Sequence, residues 1–242
     1  AVELTYCDYY IGYGEKGLKD IREGLYTNSL FEDKIKLIKS NSDKILKFYN
    51  GKKVYKVDQK KIDNMIYVPT TFNGNSRYGP FRDMHDLAYA NWQNNLLKKL
   101  KEEFKPNNFS VKLHPKDKWC CNFRVEGLKI LDNGDFFDLI KKSSIFIFDF
   151  PGTAFSYALA TSNPVIYLDI GLRNLSKRAL SAIKDRCIYI KGDPQNIKYF
   201  IENINKKINE KKINRYTEGF SIINNKLSRQ DTLKKLIFNI IQ

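Results

Sequence analysis

Two apolar, β-branched stretches of this sequence stop abruptly on residues that can bind an anion. The first, Phe109–Leu113, stops at His114-Pro115, and the second, Ser144–Phe148, stops at Asp149. A Pro151-Gly152-Thr153 turn follows the second stretch. Parallel strands of an open α/β sheet have this pattern where their carboxyl ends carry a ligand site. The two strand ends therefore predict a site for an anionic, phosphate-bearing ligand.

His114 is one of only two histidines in the chain. An imidazole at a strand end can donate a hydrogen bond to a phosphoryl oxygen, and its cationic form also offsets phosphate charge. Pro115 restricts the backbone that orients it. The alternative interpretation of His114 is a structural histidine. The other histidine, His85, falls in a predicted helix, where it is either a second site residue or a helix-surface group.

The turn after Asp149 has the features of an anion-binding helix start. Gly152 lets the backbone approach a ligand closely, so that the N–H groups of Thr153 and Ala154 point toward it. The Thr153 hydroxyl can serve both as helix N-cap and as ligand donor. A plain capped helix is the alternative. Asp149 ends a buried strand and needs a partner there, either the following turn or a sugar hydroxyl.

A third loop, residues 69–82, precedes another predicted helix. It combines hydroxyls, glycines and arginines, which suit a phosphate or pyrophosphate at a helix N-terminus. Thr70 and Thr71 supply the hydroxyls, and Arg77 and Arg82 are the stronger candidates. An ordinary surface loop is the alternative.

The elements that position these loops alternate regularly from residue 62. This alternation predicts a Rossmann-like, doubly wound parallel α/β sheet with right-handed crossovers. The predicted strands are Ile62–Pro69, Phe109–Leu113, Leu128–Leu131, Ile145–Phe150, Pro164–Ile170 and Cys187–Lys191. The predicted helices are Asp83–Phe104, Phe136–Lys142, Thr153–Thr161, Ser176–Arg186, Pro194–Lys211 and Arg229–Ile241, with a proline opening the fifth.

Residues 1–60 differ from the rest and predict a small N-terminal extension ahead of a domain of residues 61–242. Tyr6–Gly14 is typical of a short aromatic strand with a glycine turn. Apolar residues spaced through Phe31–Phe48 predict a helix, and Asn50-Gly51 predicts a turn. The extension is too small for an enzyme domain of its own.

Composition restricts the class of protein. The chain has 242 residues, of which 42% are hydrophobic and 14% aromatic, as in a packed globular protein. It shows no membrane-spanning stretch and no export signal. The four cysteines lack zinc-ligand spacing and favour a reduced, cytoplasmic setting. The net charge of +15 is spread over solvated helix faces, so we expect no nucleic-acid partner but a possible peripheral contact with an anionic membrane.

Four motifs together resemble the C-terminal, nucleotide-binding half of GT-B glycosyltransferases. They are Lys112-Leu-His-Pro-Lys-Asp117, Ile145–Asp149, the Gly152-Thr153 turn and Asn163–Asp169. The resemblance covers roughly residues 62–200. It is closest to bacterial surface-carbohydrate transferases, namely the CMP-sugar-dependent Kdo- and sialyltransferases and the CDP-glycerol glycerophosphotransferases.

In those families a His-Pro element and a hydroxyl pair bind the phosphates of a cytidine nucleotide. The resemblance places His114 in the first role and Thr153 where serine is usual, with Pro151-Gly152-Thr153 replacing the more typical Ser-Ser. The families work with two Rossmann-like domains, usually without a bound metal. Residues 1–60 would then be a remnant of, or linker from, an acceptor domain.

The resemblance implies a glycosyltransferase domain, without metal or cofactor, that transfers a sugar from a nucleotide donor to a glycan or lipid-linked acceptor for surface polysaccharide. The resemblance implies a cytoplasmic setting, in which a place at the inner face of the membrane stays open. A polyol-phosphate transferase, a sugar-nucleotide epimerase and a non-catalytic anion-binding module stay open as alternatives. The candidate catalytic residues are Asp83 and Asp149. The candidate nucleotide-sugar ligands are Thr70, Thr71, Arg77, Arg82, His85, Lys112, His114, Pro115, Gly152, Thr153 and Ala154.

Overall fold

The computed structural model describes ten segments of the chain. They are residues 8–27, 35–49, 62–72, 84–115, 123–131, 136–141, 144–210, 212–213, 216–221 and 229–241. The predicted Asn50-Gly51 turn lies outside these segments. Among the described residues, no helix combines the length and the apolar content needed to cross a membrane.

The N-terminal residues form a small parallel βαβ unit. Strands β1 (Tyr9–Tyr13) and β2 (Lys36–Ser40) pair in parallel, and helix α1 (Glu15–Thr27) connects them. The prediction of a helix over Phe31–Phe48 is therefore wrong at Lys36–Ser40. Pairing with β1 overrides the helical spacing of the apolar residues there. A short helix, α2 (Asp43–Leu46), does follow.

Helix α1 is an element that the sequence reading did not predict. Its two glycines are unfavourable within a helix and made the pattern hard to recognise, although it has an apolar stripe in which Leu18 is buried. The unit packs on the rest of the chain. Asp20 accepts hydrogen bonds of 2.5 Å from both Ser176 and Arg178, and Ser42 N–H donates to the Ser221 carbonyl over 2.9 Å.

The main sheet has six strands, all parallel, as predicted. Most observed strands begin or end within two residues of their predicted bounds. The strands are β3 (Asn64–Val68), β4 (Asn108–Lys112), β5 (Lys129–Leu131), β6 (Ile145–Phe148), β7 (Val165–Asp169) and β8 (Ile188–Lys191). Their spatial order is β5-β4-β3-β6-β7-β8. This is the order of doubly wound dinucleotide-binding sheets, and it reverses direction between β3 and β6.

Helices cover both faces of the sheet. They are α3 (Asp86–Phe104), α4 (Phe136–Ile140), α5 (Thr153–Ala160), α6 (Lys177–Arg186) and α7 (Ile197–Lys207). Two further helices, α8 (Tyr216–Phe220) and α9 (Arg229–Ile241), come later in the chain. One core cluster joins the sheet to α3 and α7, and a second joins the opposite face to α4, α5 and α6. The predicted α/β class is thus confirmed.

Two helix predictions need correction, and one further helix was not predicted. Helix α7 does not begin at Pro194, because Asn196 is its N-cap and accepts a hydrogen bond of 3.1 Å from Tyr199 N–H. His85 precedes α3 as its N-cap residue in an extended conformation, rather than lying within the helix. Helix α8 was not predicted, since five residues that include a glycine give no readable periodicity.

Candidate functional site

A cavity of about 540 Å³ opens at the carboxyl ends of β3, β4 and β6. It therefore lies at the reversal of strand order, where ligands bind in open α/β sheets. Its walls come from the two predicted strand ends, from the segment after β3 and from α4 and α5. The residues that line it are Val68, Pro69, Thr70, Lys112, Leu113, His114, Pro115, Phe136, Phe137, Phe148, Phe150, Gly152, Thr153, Ala154, Phe155 and Tyr157.

The β4 end contributes the cationic part of this cavity. His114 is half-buried and follows the strand directly, with Pro115 exposed beside it. Lys112 is buried, and its ammonium group donates to the Leu131 carbonyl over 3.2 Å. Because Lys112 ties β4 to β5 in this way, His114 is the better placed of the two to reach a ligand phosphate.

The N-terminus of α5 forms the opposite wall. Gly152 is the N-cap residue, with extended backbone angles and no side-chain cap hydrogen bond. The prediction that the Thr153 hydroxyl caps the helix is therefore wrong, since Thr153 is the first helical residue. Backbone N–H groups of a first helical turn have no partner within the helix. At α5 they lie beside the cavity, where an anion would satisfy them.

Aromatic rings make up the remaining wall. Phe137 of α4 lies against Tyr157 of α5, with ring centroids 4.7 Å apart. On its other side Phe137 stacks on Phe48, at 4.9 Å between centroids and 4° between ring planes. Phe48 belongs to the N-terminal residues, so this segment supports the cavity wall directly. No local pattern of residues indicates this contact, because it joins residues that are distant along the chain.

Asp149 lies behind the cavity rather than in its lining. The carboxylate is fully buried, and its Oδ2 accepts hydrogen bonds of 2.5 Å from both the Tyr67 and the Tyr89 hydroxyls. The Tyr89 oxygen in turn accepts from Thr70 N–H over 3.2 Å. Burial, followed by the negative charge of Asp149, raises the pKa of Tyr67 well above its usual value, so this hydroxyl keeps its proton. The network joins β3, α3 and β6 at the point where the strand order reverses.

Arg186 secures the far end of α5. Its fully buried guanidinium donates to the carbonyls of Leu159, Thr161 and Asn163 over 2.8–2.9 Å. A cation at a helix C-terminus also interacts favourably with the helix dipole. Burial lowers the pKa of Arg186 to about 10, which still leaves the side chain charged at neutral pH.

Arg173 is a candidate that the sequence reading missed. It follows β7, and its guanidinium lies over the ring of Phe150, 5.7 Å from the centroid. Phe150 lines the cavity, so this exposed cation lies next to it. The available signal was an arginine shortly after a predicted strand end.

A comparison with known protein families identifies the family of this chain. The family model described as LIC12162 family transferase matches residues 4–185. The chain belongs to this family of transferases. The match begins ahead of β1 and ends within α6, so it includes both the N-terminal βαβ unit and the cavity. No curated protein and no solved structure matches the chain.

Only some of the predicted site residues lie together in the structure. Thr70, Lys112, His114, Pro115, Gly152, Thr153 and Ala154 line the cavity. Asp149 is buried behind the cavity. His85, which is exposed, and Thr71, which follows Thr70, are not among the lining residues. Arg77, Arg82 and Asp83 lie outside the described residues, so their roles stay predictions.

The described residues were also compared with the requirements of a metal site and of a thiol nucleophile. They bring together no group of three or more His, Cys, Asp or Glu side chains suited to a metal ion. Cys187 is a buried free thiol, and burial raises its pKa to about 12. A thiol held protonated in this way is a poor nucleophile, so Cys187 is a packing residue.

Proposed function

We propose that this transferase binds a nucleotide-activated sugar in the cavity and transfers the sugar to a surface-polysaccharide acceptor. The chain would supply the donor-binding half of a GT-B-type glycosyltransferase, with a CMP-linked sugar as the leading donor. The observation that carries the proposal is the cavity at the strand-order reversal, which His114 and the N-terminus of α5 line together. A phosphate placed between them would meet the His114 imidazole and backbone donors.

The two walls of the cavity suit the two ends of such a donor. Aromatic rings can stack on the flat face of a nucleobase, and the rings of Phe150 and Tyr157 line this cavity. The polar wall suits the phosphate and the sugar. The cavity volume of about 540 Å³ also falls within the range of roughly 300–1,000 Å³ found for small-molecule sites.

The reaction requires that the bond between the sugar and the donor phosphate break. The acceptor hydroxyl attacks the anomeric carbon, the nucleotide leaves with the bonding electron pair, and the hydroxyl proton passes to a base. Negative charge grows on the departing phosphate, so His114 and the α5 N–H groups stabilise the transition state more than the ground state. Asp83 stays a candidate base, whereas the contacts of Asp149 favour a positioning role.

We expect His114→Ala to weaken binding of the preferred nucleotide about tenfold, or about 1.4 kcal/mol. The loss follows from removing an imidazole donor from the wall that would face the phosphate. Titration calorimetry with CMP, CDP, UDP and GDP would measure it. Lys99→Ala is a suitable control, because Lys99 is an exposed cation paired with Glu102 on α3 and lies outside the cavity lining. Nucleotide affinity that is equal in the wild type and His114→Ala would remove the support for this site.

A transfer assay separates the proposal from its alternatives. Incorporation of label from a CMP-linked sugar into an acceptor glycan is the expected result. Incorporation from CDP-glycerol alone would indicate a polyol-phosphate transferase. Conversion of a free UDP-sugar without any acceptor would indicate an epimerase.

A further inference from the structure

A second cavity, of about 430 Å³, lies at the outer edge of the sheet beside β8. It shares no lining residue with the proposed donor site. Four lysines and one glutamate surround it, which leaves a strong excess of positive charge. The lining residues are Lys184, Tyr189, Ile190, Lys191, Tyr199, Lys207, Glu210 and Lys212.

The lysines converge on this cavity from different elements. Lys184 comes from the end of α6, and its ammonium lies 5.2 Å from the ring centroid of Tyr189. Lys207 comes from α7 and donates to the Tyr189 carbonyl over 3.4 Å. Lys212 donates to the Lys184 carbonyl over 3.4 Å and pairs with Glu210. The fourth, Lys191, is exposed at the end of β8.

Protection of the sheet edge accounts for only part of this arrangement. Lysines on an edge strand discourage pairing with another chain, and this explains Lys191 and the contact of Lys207 with β8. It does not explain why Lys184 and Lys212 add further cations around a concave space. Like charges brought together repel one another, so their convergence favours an anionic ligand.

The surroundings of the cavity point to a membrane rather than to a free anion. Tyr199 is 40% exposed on its wall, and Ile213, next to Lys212, is 46% exposed. The Ile213 N–H donates to the Asp185 carbonyl over 3.0 Å, which holds this residue beside α6. Apolar and amphipathic side chains beside lysines are typical of surfaces that contact the headgroup region of a bilayer.

We propose that this cavity binds the phosphate of an anionic phospholipid headgroup and holds the transferase on a membrane surface. Lys184 and Lys191 contact the headgroup, while Ile213 inserts among the lipids beside it. Each lysine near an anionic surface contributes roughly 1 kcal/mol. The site is independent of the donor cavity, so either assignment can fail without the other.

Vesicle co-sedimentation tests the proposal. We expect the wild type to bind vesicles of phosphatidylcholine with phosphatidylglycerol, but not phosphatidylcholine alone. Exchanging both cations in Lys184→Glu/Lys191→Glu should weaken binding about 30-fold or more, which corresponds to about 2 kcal/mol. The matched control is Lys44→Glu/Lys141→Glu, which changes charge equally at exposed positions outside this cavity. An equal loss in both variants, or no binding by the wild type, would overturn the site.

Two further experiments distinguish a lipid headgroup from free phosphate as the ligand. Ile213→Ser leaves the charges unchanged and is expected to weaken vesicle binding several-fold, because an apolar contact is lost. Inorganic phosphate at matched ionic strength should displace little protein from the vesicles. Undiminished binding of Ile213→Ser, or full displacement by phosphate, would show a free-anion site and contradict the membrane assignment. Unchanged thermal unfolding of each variant ensures that losses are local.

Discussion

Replacing Arg186 with alanine is expected to lower the free energy of unfolding by about 3–5 kcal/mol. The substitution removes donors from the buried carbonyls of Leu159, Thr161 and Asn163, and it leaves a cavity where the guanidinium lay. A buried acceptor that loses its partner costs about 1–3 kcal/mol, which is why the effect is large. Denaturant unfolding followed by circular dichroism would measure it.

Helix α6 itself offers the matched control. Arg178 pairs with Asp20 and Glu23 and is only partly buried, so Arg178→Ala removes the same side chain from a position that water still reaches. Exposed ion pairs contribute up to about 1 kcal/mol. If Arg186→Ala were no more destabilising than Arg178→Ala, Arg186 would not be what secures the end of α5.

Replacing Asp149 with alanine is expected to cost about 2–5 kcal/mol of stability, because the Tyr67 and Tyr89 hydroxyls would be buried without their shared acceptor. Asp149→Asn should cost less, since its amide oxygen can still accept from the tyrosines. Denaturant unfolding of both variants measures the difference between them.

The turnover rate of Asp149→Asn distinguishes two roles for Asp149, that of a positioning residue and that of a catalytic base. As a positioning residue, Asp149 holds the Tyr67 and Tyr89 hydroxyls behind the cavity, so the asparagine variant should lose less than about tenfold in kcat, with KM for the donor rising. A general base contributes about 100- to 10,000-fold. A drop of that size in kcat, with stability retained, would show that Asp149 is the base despite its burial.

The sheet was predictable because its strands are buried on both faces and therefore form continuous apolar runs. Each of these runs ends in a polar residue or a turn. The ends of two of them, at His114 and Asp149, predicted where the cavity lies. Prediction failed at β2, whose residues Lys36–Ser40 were placed in a helix. Leu37 and Ile38 fit helical spacing equally well, and only the parallel pairing with β1 decides between the two.

The side-chain network of the site could be predicted only in part. Asp149 was expected to need a partner because it ends a buried strand, but nothing local identifies Tyr67 and Tyr89 as the donors. Phe48 reaches the cavity wall only through a tertiary contact. Contacts of this kind depend on how strands and helices pack, which residue spacing along the chain does not encode.

The most direct test of the donor site is a calorimetric titration of the wild type and of Ala154→Trp with a cytidine nucleotide. Ala154 lines the cavity at the start of α5, so an indole there would fill the space beside the helix N-terminus. We predict binding of one nucleotide per wild-type chain. We also predict at least tenfold weaker binding by Ala154→Trp, about 1.4 kcal/mol, with thermal unfolding unchanged. Binding undiminished in Ala154→Trp, or no nucleotide binding by the wild type, would contradict the assignment of this cavity to the donor.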